Sequence, residues 1–147
     1  TPHVAGSTQE AQESIGVDVA TKLARFINNG ATTGAVNVPE VELPSQSPDH
    51  GQGGNEPAGT APRPHRILHF HRNVPGVLSR MHGLIAALGG NIASEYLRTT
   101  QDIGYVVVDI DPVNNASAGG ADPSVTSDEI ARRLREIPET IRVRVLW

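Results

Sequence analysis

The period of the apolar residues changes repeatedly between residues 65 and 147, and few architectures accommodate the resulting order. "RILHFH" (66–71) alternates every second residue, with Leu68 and Phe70 on one face and Ile67, His69 and His71 on the other. "PGVLSRMHGLIAALGG" then repeats at helical spacing through Val77, Leu78, Met81, Leu84, Ile85 and Leu88, with Pro75 in the first turn and Gly89 or Gly90 closing it. "NIASEYLRT" and "IGYVVVDID" read as strands joined by a tight turn. "TSDEIARRLREI" reads as a helix capped by Thr126 or Ser127, with Ile130, Leu134 and Ile137 inward and Pro138 as its stop. "TIRVRVLW" returns to strand spacing, setting Ile141, Val143 and Val145 against Arg142 and Arg144. The order β-α-β-β-α-β predicts an α+β, ferredoxin-like domain, with two helices on one face of an antiparallel sheet. Aromatic residues make up 3% of the chain, so its core is aliphatic.

Two other pieces precede this domain. In residues 1–44, "GSTQEAQESIGVDVATKLARFINNG" reads as an amphipathic helix. Ser7 and Glu10 supply a capping-box pair, Ala11, Ile15, Val19, Leu23, Phe26 and Ile27 form an apolar face, and Gly30 closes it. "GAVNVPEVELP" suggests a short strand interrupted by Pro39. One helix and one strand cannot bury both their apolar faces alone, so this piece is expected to need partners that the chain does not contain. Residues 45–64, "SQSPDHGQGGNEPAGTAPRP", have the composition of a flexible linker. Their "GQGG" lacks the flanking strand and helix that a phosphate loop requires. The chain opens "TPHVAG" without a methionine and reads as part of something longer.

Composition narrows the function. A net charge of −4 gives no electrostatic reason to expect nucleic acid or an anionic membrane. The third strand of the domain, "DIGYVVVDID", offers one aromatic and three carboxylates, which is unfit for stacking bases or meeting phosphates. No apolar run is long enough to span a bilayer. The absence of cysteine removes disulfides, thiolate catalysis and cysteine-based zinc sites, and fits a cytoplasmic protein.

His69 and His71 admit three readings. They could be metal ligands, although no third or fourth ligand is evident, and no metal site is expected. They could be an exposed strip of a strand. They could also border an amino-acid pocket, because the turn "HRNVPGVL" leads into a helix N-terminus whose free amides suit a carboxylate, and Asn73 and Asn91 each offer a donor and an acceptor.

Residues 65–147, through "HRNVPGVL", "GGNIASEYLRT", "GYVVVDID" and "IPETIRVRVLW", resemble the C-terminal ACT domain of the D-3-phosphoglycerate dehydrogenase family. "TPHVAGSTQEAQESIGVDVA" and "AVNVPEVELP" resemble the end of the same family's catalytic body. The resemblance implies an NAD-dependent oxidoreductase of the first step of L-serine biosynthesis. Residues 1–44 would close the substrate-binding domain, 45–64 would link, and 65–147 would be the regulatory ACT domain. It implies that L-serine binds as feedback inhibitor at a dimer interface, between His71 and Asn73 of one chain and Asn91 of its neighbour, with Gly76 and Val77 lining the site. His69 would then pack or face solvent. His3 matches the family's catalytic histidine, a general acid/base. The parent would be a homotetramer paired through its ACT domains. NAD would bind elsewhere in the parent, since no Gly-rich dinucleotide fingerprint occurs in these residues, and the piece alone would be inactive. Two-fold pairing is expected through the strand bearing Ile67, His69 and His71, taken as a sheet edge. The alternative is a free-standing ACT amino-acid sensor without a catalytic role.

Overall fold

In the computed structural model the described residues are 8–43, 65–111 and 123–146. His3, Ser7, the 45–64 linker and the loop from 112 to 122 lie outside them. Seven elements follow in order: α1 (Gln9–Asn29), β1 (His65–Arg72), α2 (Val77–Ala87), β2 (Asn91–Thr99), β3 (Ile103–Asp111), α3 (Pro123–Arg135) and β4 (Thr140–Leu146). The β-α-β-β-α-β order from residue 65 is the expected one. α3 starts earlier than its sequence suggests, at Pro123, so Thr126 and Ser127 lie within the helix and do not cap it. Proline suits a first helical turn, where its missing N–H has no partner to lose.

The sheet has four strands in the order β2-β3-β1-β4, and each adjacent pair is antiparallel. β1 is therefore central, bonded to β3 on one side and β4 on the other, and offers no edge to a second copy. The free edges belong to β2 and β4. This corrects the expectation that β1 pairs with its own copy. The physical reason stands in "RILHFH" itself: Ile67 and Leu68 are adjacent and both 1% exposed, as in a strand covered on both faces.

α2 and α3 cover one face. Ile67, Val106, Val108 and Ile110 of the sheet meet Met81 and Ile85 of α2 and Ile130, Ala131 and Leu134 of α3 in the larger apolar cluster. The other face carries Leu68, Tyr105, Val107 and Leu146, and it is roofed by Ala31, Val41 and Leu43. The stretch 31–43 is thus not the strand that its alternating valines suggest. It is an irregular stretch of turns and bends, tied through Thr32, whose amide donates to the Val41 carbonyl and whose hydroxyl donates to the Pro39 carbonyl. It finds its apolar partner in the sheet of this same chain, which corrects the expectation that this piece needs partners the chain does not contain.

Three hydrogen bonds fasten the end of α1 to this face. Arg144 Nη2 donates to Ile27 O at 2.8 Å, Arg66 Nη1 to Asn29 O at 3.0 Å, and Tyr105 Oη to Gly30 O at 2.6 Å. They satisfy carbonyls that a helix end leaves unpaired. Gly30 is obligatory here: its φ is 85°, and a Cβ would overlap the Leu68 side chain. At the other end the cap is Thr8, not Ser7, with its Oγ1 accepting from Ala11 N at 3.2 Å. α1 buries no residue, and Ile15, Val19, Leu23 and Ile27 remain exposed on one side.

Candidate functional site

His71 is the penultimate residue of β1, and its imidazole is buried on the helix-covered face. It stands directly across from Gly104 in β3, whose missing side chain makes room for it: a Cβ there would overlap the ring. His69 lies two residues back on the same face, 0% exposed, with its ring centroid 5.1 Å from that of His71 and tilted 30°. The exposed-strip reading is thereby corrected. Both rings share the face of Ile67, which α2 and α3 cover. Burial pushes His69 down to about 4, and the neighbouring His71 charge adds to the effect. Burial also lowers His71, while a hydrogen bond with the His69 backbone works against the shift. Both imidazoles are neutral at pH 7. Among the described residues, no three His, Asp or Glu side chains converge as a metal site.

Asn73 follows β1 and ties down the β2–β3 turn. Its backbone N–H donates to Asp102 O at 2.9 Å, and its Nδ2 donates to Thr100 O at 2.8 Å. A carbonyl only accepts, so this bond fixes the amide's orientation and turns Oδ1 away from the turn. Gly76 is the N-cap of α2, with φ 89°, and supplies no side-chain cap. Val77 opens the helix and is buried. Among the described residues no side chain caps the first-turn amides of α2, and the helix dipole favours an anion at this end.

Asn91 lies elsewhere. It begins β2 across from Asp111, and its Nδ2 donates to Asp111 Oδ2 at 2.7 Å. Along β3, Asp111 is roughly 24 Å from Gly104 at about 3.4 Å per residue. Within one chain the fold brings His71, Asn73, Gly76 and Val77 to one end of the sheet and leaves Asn91 at the other. His3 lies outside the described residues. A groove of about 500 Å³ lies along the free edge of β2, between Glu40–Glu42 and Glu95–Arg98, and contains none of these residues.

Two neighbours of His71 were not singled out from sequence. Gly104 had a signal, since a glycine inside a strand marks a close approach. Thr140 had none. It accepts a hydrogen bond through Oγ1 from His69 Nε2 at 2.7 Å, a contact between positions 71 residues apart that only the β1–β4 register sets.

A family model described as "AHAS small subunit-like ACT domain" matches residues 67–118. The chain is 42% identical over all 147 residues to D-3-phosphoglycerate dehydrogenase of Escherichia coli and 43% identical to that of Haemophilus influenzae. It is 36% identical over the same length to the enzyme of Dictyostelium discoideum. All of this chain is covered in each case, and it spans about 30% of the length of the relatives it matches, their C-terminal part. The βαββαβ domain from residue 65 has the ACT fold.

Proposed function

We propose that this chain, similar throughout to the C-terminal part of D-3-phosphoglycerate dehydrogenases, is the effector-sensing end of such an enzyme and binds L-serine across a two-fold seam. The parent activity would be the NAD-dependent oxidation of 3-phosphoglycerate in the cytoplasm, with His3 as the general acid/base. NAD and substrate would bind in the parent's body. Among the described residues no helix is long and apolar enough to cross a membrane.

The observation that carries the reading is the uncapped N-terminus of α2 beside Asn73. A zwitterionic amino acid needs donors for its carboxylate and acceptors for its ammonium. The first-turn amides of α2 supply the donors. The Oδ1 atoms of Asn73 and of a partner's Asn91 supply acceptors, because each Nδ2 is already spent on an acceptor of its own chain. His71 and the Gly76–Val77 turn would complete the pocket. The free edge of β2 gives the seam. Antiparallel pairing of two copies of β2 about Glu95 sets the partner's Asn91 beside Thr99, next to the Thr100 carbonyl that holds Asn73. The second reading, a free-standing sensor, leaves the similarity of residues 1–44 to the parent enzymes without a purpose.

Calorimetric titration of the 147-residue chain with L-serine tests this. Asn73→Ala and Asn91→Ala should each weaken binding by roughly ten- to a hundredfold while leaving a folded dimer. A dimeric wild type that shows no heat with millimolar serine would end the effector assignment.

A further inference from the structure

We propose that His69 and Thr140 are positioning residues of this effector site, holding the imidazole of His71 in place. The inference rests on the serine-binding reading for its purpose, but its geometry stands on its own.

The Thr140 hydroxyl has one proton and two nearby partners. Leu134 O, 2.7 Å away, is a carbonyl and can only accept. The proton is therefore committed to it, and Thr140 Oγ1 must accept from the other partner, His69 Nε2, also at 2.7 Å. That assigns the tautomer: His69 carries its proton on Nε2 and leaves Nδ1 bare. Nδ1 has no hydrogen-bond partner, consistent with a ring fixed through its Nε2 side alone. Leu134 lies in the last turn of α3, where its carbonyl also accepts from Ile137 N at 3.3 Å. A continuous line thus runs from the end of α3 through Thr140 to His69.

His71 needs such support. Its Nδ1 makes no hydrogen bond, and the side chain is 2% exposed. Besides the hydrogen bond with the His69 backbone, the ring is flanked by Gly104 across the strand pair and by the His69 ring at 5.1 Å. Gly104 is backbone and cannot turn. His69 can, and Thr140 is what stops it. Releasing His69 frees its ring to flip or change tautomer, and His71 loses one wall of its slot.

The test uses imidazole nitrogen and carbon NMR on the 147-residue chain without ligand, comparing wild type, Thr140→Val, Thr140→Ser and His69→Gln. Wild-type His69 should show the protonated-Nε2 signature. Thr140→Val keeps the shape and removes the hydroxyl, and it should alter the His69 signature and move or broaden the His71 ring signals. Thr140→Ser keeps the hydroxyl and should restore both. His69→Gln retains a donor toward Thr140 but lacks the ring, and it should disturb His71; it decides the matter if Thr140→Val fails to fold. A wild-type His69 protonated on Nδ1 overturns the proposal, as do unchanged His71 signals in Thr140→Val or a Ser variant as disturbed as the Val variant. In a parallel serine titration, Thr140→Val should bind about tenfold more weakly and Thr140→Ser like wild type. Absence of serine binding in wild type would sink the effector reading alone, while the ring signals still decide the positioning role.

Discussion

Two buried imidazoles make the folded chain sensitive to acid. A histidine free in solution takes up its proton near pH 6.5, whereas His69 in the fold does so only at about 4. Between those values the unfolded chain binds more protons than the folded one, so stability rises with pH across the window. The contribution is fully present above 6.5 and is lost as pH falls toward 4. His71 is shifted in the same direction and adds to it. Denaturant unfolding at pH 7.5 and pH 5 should therefore differ by roughly 2 kcal/mol from His69 alone. His69→Gln should flatten that difference; an equal pH dependence in the variant would show that His69 is not its source. At this scale the sequence was legible in part. The spacing of His69 and His71 puts both on one face of one strand, but whether that face meets solvent or a helix depends on which neighbours the strand acquires. Neighbours are set by tertiary pairing, which lies beyond the reach of a two-residue period.

The elements themselves followed from apolar periodicity, because burying a stripe or a face is what makes them form. Their lateral order did not, since several strand orders bury the same residues. The roof formed by 31–43 was missed for a related reason. Val41 and Leu43 alternate as a strand would, yet what they meet is the apolar face of a sheet and not a neighbouring backbone. Under that roof lies a buried ion pair: Arg66 Nε and Nη2 donate to Asp109 Oδ1 and Oδ2 at 2.6 and 2.8 Å, and Ser94 Oγ donates to the same Oδ2 at 2.7 Å. Arg66 also holds Asn29 O, so this pair joins the end of α1 to the sheet. Asp109→Ala would strand a buried guanidinium and should lower stability by about 3 to 5 kcal/mol. Replacing both partners with apolar residues, Arg66→Met with Asp109→Leu, should recover a large part of that loss. Urea unfolding of both variants checks this. A single variant within about 0.5 kcal/mol of wild type would mean the pair is solvated and does not fasten α1 to the sheet.

At the scale of the whole molecule, one chain holds two halves of the proposed site at opposite ends of its sheet. His71, Asn73 and the α2 N-terminus form one half, and Asn91 the other, with β2 as the free edge between them. On this proposal neither half makes an amino-acid pocket by itself, so effector binding requires the dimer, and serine should tighten the dimer in proportion to its preference for it. Mixing two crippled chains tests this most directly. Asn73→Ala and Asn91→Ala each damage both sites of their own homodimers. In a mixed dimer one site collects both lesions, and the other receives Asn73 from one chain and Asn91 from the other, both intact. After subunit exchange the mixture should bind L-serine with wild-type affinity at about a quarter of wild-type capacity, since about half the dimers are mixed and each carries one sound site. A mixture that exchanges subunits yet binds no better than its components would place the site within a single chain and contradict the account.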